Sequence, residues 1–193
     1  MILLLVLLAQ EVARKDVMVV TGTAEPVAIE ESDRAVRRQE VRVQSILANT
    51  LVDFLNRDAS VDLRQRGVGN IQTDVSIRGA TFGQTLVLLN GLRLNDVQSG
   101  HHSMDVPVPV ETLDRVEVLK GAGSTLYGSD AIGGVVNFIT KPPETSELRI
   151  RGAAGSFGTN QQRVSGAFVR GANFSQQLSA YRDFSSVFMP NRD

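Results

Sequence analysis

The sequence predicts an α+β domain, a small mixed sheet with short helices and hairpins, followed by the opening of a separate run of antiparallel strands. Three observations predict it. Residues 119–140, LKGAGSTLYGSDAIGGVVNFIT, set Gly121, Gly123, Gly128, Gly133 and Gly134 ahead of a run of β-formers, the pattern of a tight loop feeding a buried or closely paired strand. Residues 86–94, LVLLNGLRL, place Asn90-Gly91 between apolar runs, a hairpin signal because a type I′ turn needs positive φ at both central residues. Beyond Pro142-Pro143 the texture changes to turn-separated segments of about ten residues.

Composition narrows the function before any motif does. A chain of 193 residues can bury one real core and part of another. With 20 basic and 21 acidic residues it offers no basic field for nucleic acid. Seventeen glycines, no tryptophan and 5% aromatics favour a turn-rich fold over a helical bundle. The absence of cysteine excludes disulfides, thiolate metal sites and a cysteine nucleophile.

Taken in order, Ile2 to Ala9 form an apolar run, far short of the about 20 residues that span a bilayer. It fits the core and small-residue end of a secretory leader whose basic start lies upstream, or else a buried first strand. Asp16 to Thr21, DVMVVT, is β-prone, and Gly22 to Glu40 carries Pro26 and many charges without apolar periodicity, which predicts a mobile linker. Val41 and Val43 suggest a short strand. Leu47, Leu51, Val52 and Leu55 then fall at helical spacing, with Ser45 or Asn49 as cap and Asp53 in or near the first turn. Val61, Leu63, Val75 and Ile77 alternate with polar residues on either side of a Gly67–Asn70 turn, the period of half-buried strands. Asp96 to Met104 reads as a polar loop. Val110 to Asp114 can form one helical turn before a strand from Arg115 to Lys120. Past the double proline, Leu148 and Ile150 alternate with Arg149 and Arg151, and strand-length runs cover Gln161 to Arg170 and Phe174 to Phe184. Asp193 follows a polar turn-like stretch, which predicts a chain that stops inside a longer protein.

Site chemistry is mostly excluded. Leu126 stands where a dinucleotide fingerprint needs its third glycine, and no Gly-Lys-Ser/Thr follows, so the glycine loop is not a phosphate cradle of either kind. His101-His102 with Asp96 and Asp105 invites a metal, but adjacent histidines point apart in a strand and no third nitrogen ligand exists, so a solvated loop is predicted. No nucleophile motif accompanies them, and the chain is read as a non-enzyme with no metal and no cofactor.

The ordered set DVSIRG (Asp74 to Gly79), LVLLNGLRLND (Leu86 to Asp96), VETLDRVEVLKG (Val110 to Gly121) and LYGSDAIGGVVNFITK closely resembles the plug domain of TonB-dependent outer-membrane receptors. The tail SDAIGG is most similar to the vitamin-B12 transporter branch. The resemblance implies an α+β plug followed by the first strands of a truncated transmembrane β-barrel, of which about 22 strands would complete a plugged transporter. It divides the chain into a partial signal peptide (1–10), a coupling segment and linker (11–40), a plug (41–143) and the first barrel strands (144–193). It makes Asp16, Val17, Met18, Val19, Val20 and Thr21 the TonB box, which pairs as an added strand with the TonB energy-coupling protein in the periplasm. It makes Phe82, Gln84, Gln98, Ser99, His101 and His102, with Val68 to Gln72 beside them, the ligand-facing loops. Arg78, Gly79, Asn90, Gly91, Tyr127, Gly128, Gly133 and Gly134 become the structural plug motif. Arg78, Glu117 and Lys120 would make polar contacts with the barrel wall or within the plug. The implied task is uptake of a large scarce ligand, a corrinoid or a metal chelate such as a ferric siderophore, across the Gram-negative outer membrane, with lipid around the barrel and no nucleic-acid partner. The alternative is a stand-alone plug-like binding module without transport.

Overall fold

The central element is an antiparallel pair of strands, β8 (Leu113–Lys120) and β9 (Gly134–Thr140). They are seen in a computed structural model that describes residues 18–23, 25–41, 45, 48–66, 72–96, 98–171 and 174–186. With β3 (Val36–Glu40), β6 (Thr85–Leu89) and β7 (Leu92–Arg93) they form a five-stranded sheet in the order β3-β8-β9-β6-β7. The β6–β9 pair is parallel and the other neighbours are antiparallel. β9 is buried on both faces from Gly134 to Ile139, which is why its sequence is a continuous run and not an alternation.

The two faces of this sheet are covered differently. On one face Val116, Val118, Val136, Phe138 and Val87 join the larger core, with Phe54 and Leu55 of helix α1 (Val52–Leu55) and Val75 and Ile77. Those last two belong to the hairpin of β4 (Val61–Gln65) and β5 (Thr73–Ile77). On the other face a smaller cluster holds Leu86, Leu88, Leu119, Val135 and Ala131, with Val36 and Tyr127 at its margin. Tyr127 ends the one-turn helix α2 (Ser124–Tyr127) in the glycine loop between β8 and β9.

Several elements differ from the sequence reading. Residues 36–40 are not linker: VRRQE pairs with β8 from Val36↔Leu119 to Glu40↔Arg115. Its strand pattern is hidden because an edge strand buries little, here only Gln39. The segment before it is also tied down, since β1 (Met18–Val19) pairs with β2 (Val27–Ala28). α1 is shorter than its apolar spacing suggests. Its first turn is closed by Asp53, whose Oδ2 accepts the N–H groups of Asn49 and Thr50 at 2.7 and 2.9 Å, so Asn49 is not the cap. Val43, Leu47 and the Gly67–Asn70 turn lie outside the described residues.

After the double proline, β10 (Glu147–Ala154), β11 (Asn160–Arg170) and β12 (Phe174–Phe184) make an antiparallel three-stranded sheet. Burial alternates along β10, and across the sheet Leu148, Ile150 and Leu178 are 69%, 74% and 77% exposed, while Arg163 and Ser165 on the opposite face are buried.

Two glycines test the sheet's tolerances. Asn90 and Gly91 take φ of 52° and 81°, as a primed hairpin turn requires, and a methyl at Gly91 would meet nothing within 4 Å. At Gly134, φ is 154° and an added Cβ would stand 2.4 Å from the Leu119 carbonyl oxygen and 2.7 Å from Ile77 Cδ1. Gly91→Ala should therefore cost about 1–2 kcal/mol, from backbone strain alone. Gly134→Ala, strained and overpacked against main chain, should cost about 3 kcal/mol or more. Urea unfolding in detergent separates them, and equal losses would refute the steric account.

A second prediction concerns pH. Asp58, buried where the α1 turn meets β8, has Oδ1 2.9 Å from Lys120 Nζ, with Arg37 Nε 3.8 Å from Oδ2. Burial pushes its carboxyl up, but the Ser60 hydroxyl and N–H and the Lys120 ammonium together outweigh it and leave the group below its ordinary range. A depressed folded-state value stabilises above the unfolded value, and that stabilisation is lost as pH falls through the folded one. The stability gap between wild type and Asp58→Asn should be full above about pH 5 and should narrow below about pH 4. A gap independent of pH would exclude the ionised pair as its source.

Candidate functional site

Three polar constellations stand out against the apolar sheet. The first lies on the smaller-cluster face, where strand register puts Arg38, Glu117 and Asn137 in one row across β3, β8 and β9. Glu117 has no exposed surface. A carboxylate buried so completely must be met by donors. Its Oε1 accepts from Arg115 Nε at 2.8 Å, and its Oε2 accepts the main-chain N–H groups of Val20 and Thr21 at 2.9 and 2.8 Å. Asn137 Nδ2 donates to the Thr21 hydroxyl at 3.0 Å, and Asn137 Oδ1 accepts the Gly91 N–H at 3.2 Å. Arg38 Nη1 donates to the Met18 carbonyl. Met18 to Thr21 are thus docked, with Val19 and Thr21 fully buried, where the sequence predicts a mobile tether. Asp16 and Val17 lie outside the described residues. The guanidinium of Arg115 is partly desolvated, which would lower its pKa. Its hydrogen bonds and charge pairing with Glu117 and Asp114 prevail and raise it further.

The second constellation is a cavity of about 400 Å³ beside the start of β6, lined among others by Phe82, Arg93, Asp96, Gln98, Ser99 and Asp130. The loop on its rim is fixed by Asp96, whose Oδ1 accepts the Gln98 N–H at 2.9 Å and whose Oδ2 accepts from the Ser99 hydroxyl at 2.7 Å. Those two hydrogen bonds hold its carboxyl below the usual range. On the other side Arg93 donates to Asp130 and to the Tyr127 carbonyl. Of the sequence-predicted ligand-facing residues, Phe82, Gln98 and Ser99 come together here. Gln84 does not join them, because its side chain accepts the Thr81 N–H within its own 3-10 turn. His101 turns inward: its ring stacks on Phe82 at 4.5 Å, and its Nδ1 lies 2.9 Å from Asp74 Oδ1. His102 pairs with Asp105 at the surface. Gln72 has a φ of 46°, while Val68 to Ile71 are outside the described residues. Arg93 and Asp130 were missed, although both sit in quoted motifs, one after Asn90-Gly91 and the other in SDAIGG. Among the described residues no group of three His, Asp or Glu is placed to hold a metal.

The third constellation joins the three-stranded sheet to the domain. Arg151 on β10 donates to the carbonyls of Ser45 and Ala48 at 3.1 and 3.0 Å and to Asn49 Oδ1 at 2.7 Å. Arg163 on β11 donates to the Asn49 carbonyl and to Asp183 Oδ2, each at 2.8 Å. Glu111 lies between the two guanidinium groups, at 3.3 and 3.6 Å.

The structural-motif residues close the glycine loop and its neighbours. Arg78 and Gly79 turn the chain after β5, and Arg78 Nη1 reaches the Lys120 carbonyl at 3.4 Å. Gly133 donates its N–H to the Gln84 carbonyl at 2.9 Å, and Gly128 ends α2 at positive φ. Lys120 and Glu117, assigned from the sequence to wall or plug contacts, both find partners inside the domain.

Comparison with known proteins fits these features. The family model described as TonB-dependent Receptor Plug Domain matches residues 26–135. The vitamin B12 transporter BtuB of Vibrio vulnificus is 39% identical over 142 residues, which cover 72% of this chain and 23% of that protein. That of Photobacterium profundum is 33% identical over 156 residues, covering 79% and 25%. The chain therefore spans about a quarter of the length of these curated relatives. Among solved structures, the ferripyoverdine receptor of the outer membrane of Pseudomonas aeruginosa superposes with a TM-score of 0.68 over 85% of this chain and 22% of that one, at 18% identity. At that identity the likeness speaks to fold alone.

Proposed function

The chain belongs to the TonB-dependent receptor plug domain family, and from that premise we propose that it is the plug and first wall strands of an outer-membrane receptor for active uptake. The ligand class is a large scarce compound, a corrinoid first, in keeping with the names of the relatives above, or a metal chelate such as a ferric siderophore. The observation that carries the reading is the three-stranded sheet: an apolar exposed face of Leu148, Ile150, Val164, Phe168 and Leu178, and a polar face gripping the domain through Arg151 and Arg163. A barrel wall needs that division, lipid outside and plug within. A water-soluble plug-like module would instead leave this apolar face in solvent.

In this reading residues 1–10 are a leader, residues 16–21 are the coupling segment, and the cavity at Phe82, Gln98 and Ser99 faces the arriving ligand. A plugged lumen cannot pass its ligand unaided. Energy has to arrive through a periplasmic partner, the TonB protein, that takes hold of the chain. An added β-strand suits that task, since it grips main chain and is indifferent to most side chains.

Proline at Val19 removes the main-chain donor and fixes φ, whereas alanine keeps the donor and loses only the buried side chain. In cells carrying the receptor that contains this chain, Val19→Pro should bind labelled cobalamin at the surface but accumulate none, with Val19→Ala intermediate. Normal accumulation by Val19→Pro would show that residues 16–21 do not couple transport.

A further inference from the structure

The outward face of the three-stranded sheet carries charge of one sign. Strand register aligns Gly152, Gln162 and Arg182 across β10, β11 and β12, with Phe184 one row beyond, and sets Arg170 opposite Phe174 at the other end. Both arginines are exposed and share the face of Leu148, Ile150 and Leu178, on which the described residues place no aspartate or glutamate. The opposite face treats its arginines differently. Arg149 pairs with Glu147 at 2.9 Å, Arg151 with Glu111 at 3.3 Å and Arg163 with Asp183 at 2.8 Å. Among the described residues neither Arg170 nor Arg182 pairs with a carboxylate. Arg182 instead lays its guanidinium over the Phe184 ring, 5.8 Å from the centroid.

Position along the strand decides what these charges can meet. A lipid-facing arginine is costly at the middle of a bilayer and close to neutral at its borders. From Phe174, opposite Arg170, to Arg182 the strand rises about 27 Å at about 3.4 Å per residue. A tilt of about 35–45° leaves about 20 Å of this along the membrane normal. Leu148, Ile150, Val164, Phe168 and Leu178 fill the interval, Gln176 apart. Arginine stems carry their charge outward from such places, and the contact with Phe184 turns Arg182 that way. The two guanidinium groups then stand at the edges of an apolar band about 25 Å tall, at the level of the lipid headgroups. We propose that Arg170 and Arg182 bind the phosphate groups of membrane lipids, one at each border of the wall. The proposal rests on the reading of the three-stranded sheet as part of a barrel wall. A guanidinium fork matches phosphate with parallel N–H donors, and Gln162, opposite Arg182 on β11, places a carboxamide donor beside it. A face with cations and no anions attracts anionic headgroups. Lipid phosphate supplies the counter-charge that the described residues do not provide there.

The test uses the whole receptor that contains this chain, purified in dodecyl maltoside, a detergent without phosphate. Native mass spectrometry follows the binding of phosphatidylglycerol and of a phosphate-free galactolipid with the same acyl chains. Arg170→Gln and Arg182→Gln should each weaken phosphatidylglycerol binding about fivefold, as the charge of one arginine near a headgroup predicts, and leave galactolipid binding unchanged. Arg182→Lys, which keeps the charge and loses the fork, should fall between. Inorganic phosphate at the same concentration should displace neither lipid. Wild-type binding of phosphatidylglycerol by both glutamine variants would overturn the proposal and assign the arginines to a carboxylate elsewhere in the receptor. So would an equal loss of galactolipid, which would reduce their role to apolar contact, or displacement by inorganic phosphate, which would make the site one for free anions. The wall reading is checked separately: Leu178→Cys in outer membranes should resist a water-soluble maleimide, and rapid labelling there would refute the wall itself.

Discussion

A carboxylate with no exposed surface sits on β8, an interior strand of the five-stranded sheet, and much of the fold is arranged to satisfy it. Glu117 gives one oxygen to its neighbour Arg115 and the other to two main-chain N–H groups from almost a hundred residues earlier. An isolated ionised carboxylate in such a place would be driven to neutrality or out of the sheet. The N-terminal segment is therefore a structural part of this face. Its arrival also buries Val19 and Thr21 and brings Gly22 against Leu119, where an added Cβ would stand 3.0 Å from Leu119 Cδ1. β3 follows from the same arrangement: having crossed the face, the chain returns along the free edge of β8, and Arg38 comes into line with Glu117.

What was legible in the sequence depended on how local its cause was. The Asn90-Gly91 hairpin was legible because the turn geometry is a property of those residues, and both have positive φ. β9 was legible because burial on both faces writes itself as an unbroken run. β3 was not, because Val36–Glu40 gains its place from edge pairing and shows three charges in five residues. The docking of residues 18–21 left little side-chain signature, since Arg38 and Glu117 hold main-chain groups and Asn137 holds the Thr21 hydroxyl. Glu117 itself looked like the polar half of an ordinary alternation in RVEVLK, and only the register across β8 and β9 shows that it faces Asn137. For the cavity, the family resemblance suggested His101 and His102 beside Gln98 and Ser99. Their imidazoles pair with Asp74 and Asp105, the first across 27 residues of sequence, which spacing does not encode.

The wall strands show the opposite case, a pattern legible in the sequence whose meaning needed three dimensions. Alternation over residues 147–184 fits a soluble meander as well as a barrel wall. The arginines break that tie. Arg151 and Arg163 lie on the polar face, and between them they satisfy three carbonyls at residues 45, 48 and 49, around the entrance to α1. Those carbonyls precede a short helix, and the guanidinium groups bring side-chain donors to them from the three-stranded sheet. Glu111, shared by both, keeps two like charges side by side.

The two faces of the central sheet divide the work. The face toward α1 and the β4–β5 hairpin carries the large side chains, Phe54, Phe138, Leu55, Ile77 and Met104 among them, and draws nothing from residues 18–22. The opposite face has a small apolar cluster and the polar row, and it is the one the N-terminal segment covers. Hydrophobic burial scales with apolar area and is lost only when that area is exposed. Lifting a few residues off the second face therefore leaves most of the core intact, and what is uncovered there includes Glu117 and Asn137, groups that water solvates well. A purely apolar second face would bind the segment through contacts that water cannot replace, and would expose a sticky surface on release. The polar row lets water take over the hydrogen bonds of the departing chain. The segment is thereby tied to the sheet by hydrogen bonds more than by membership of the main core.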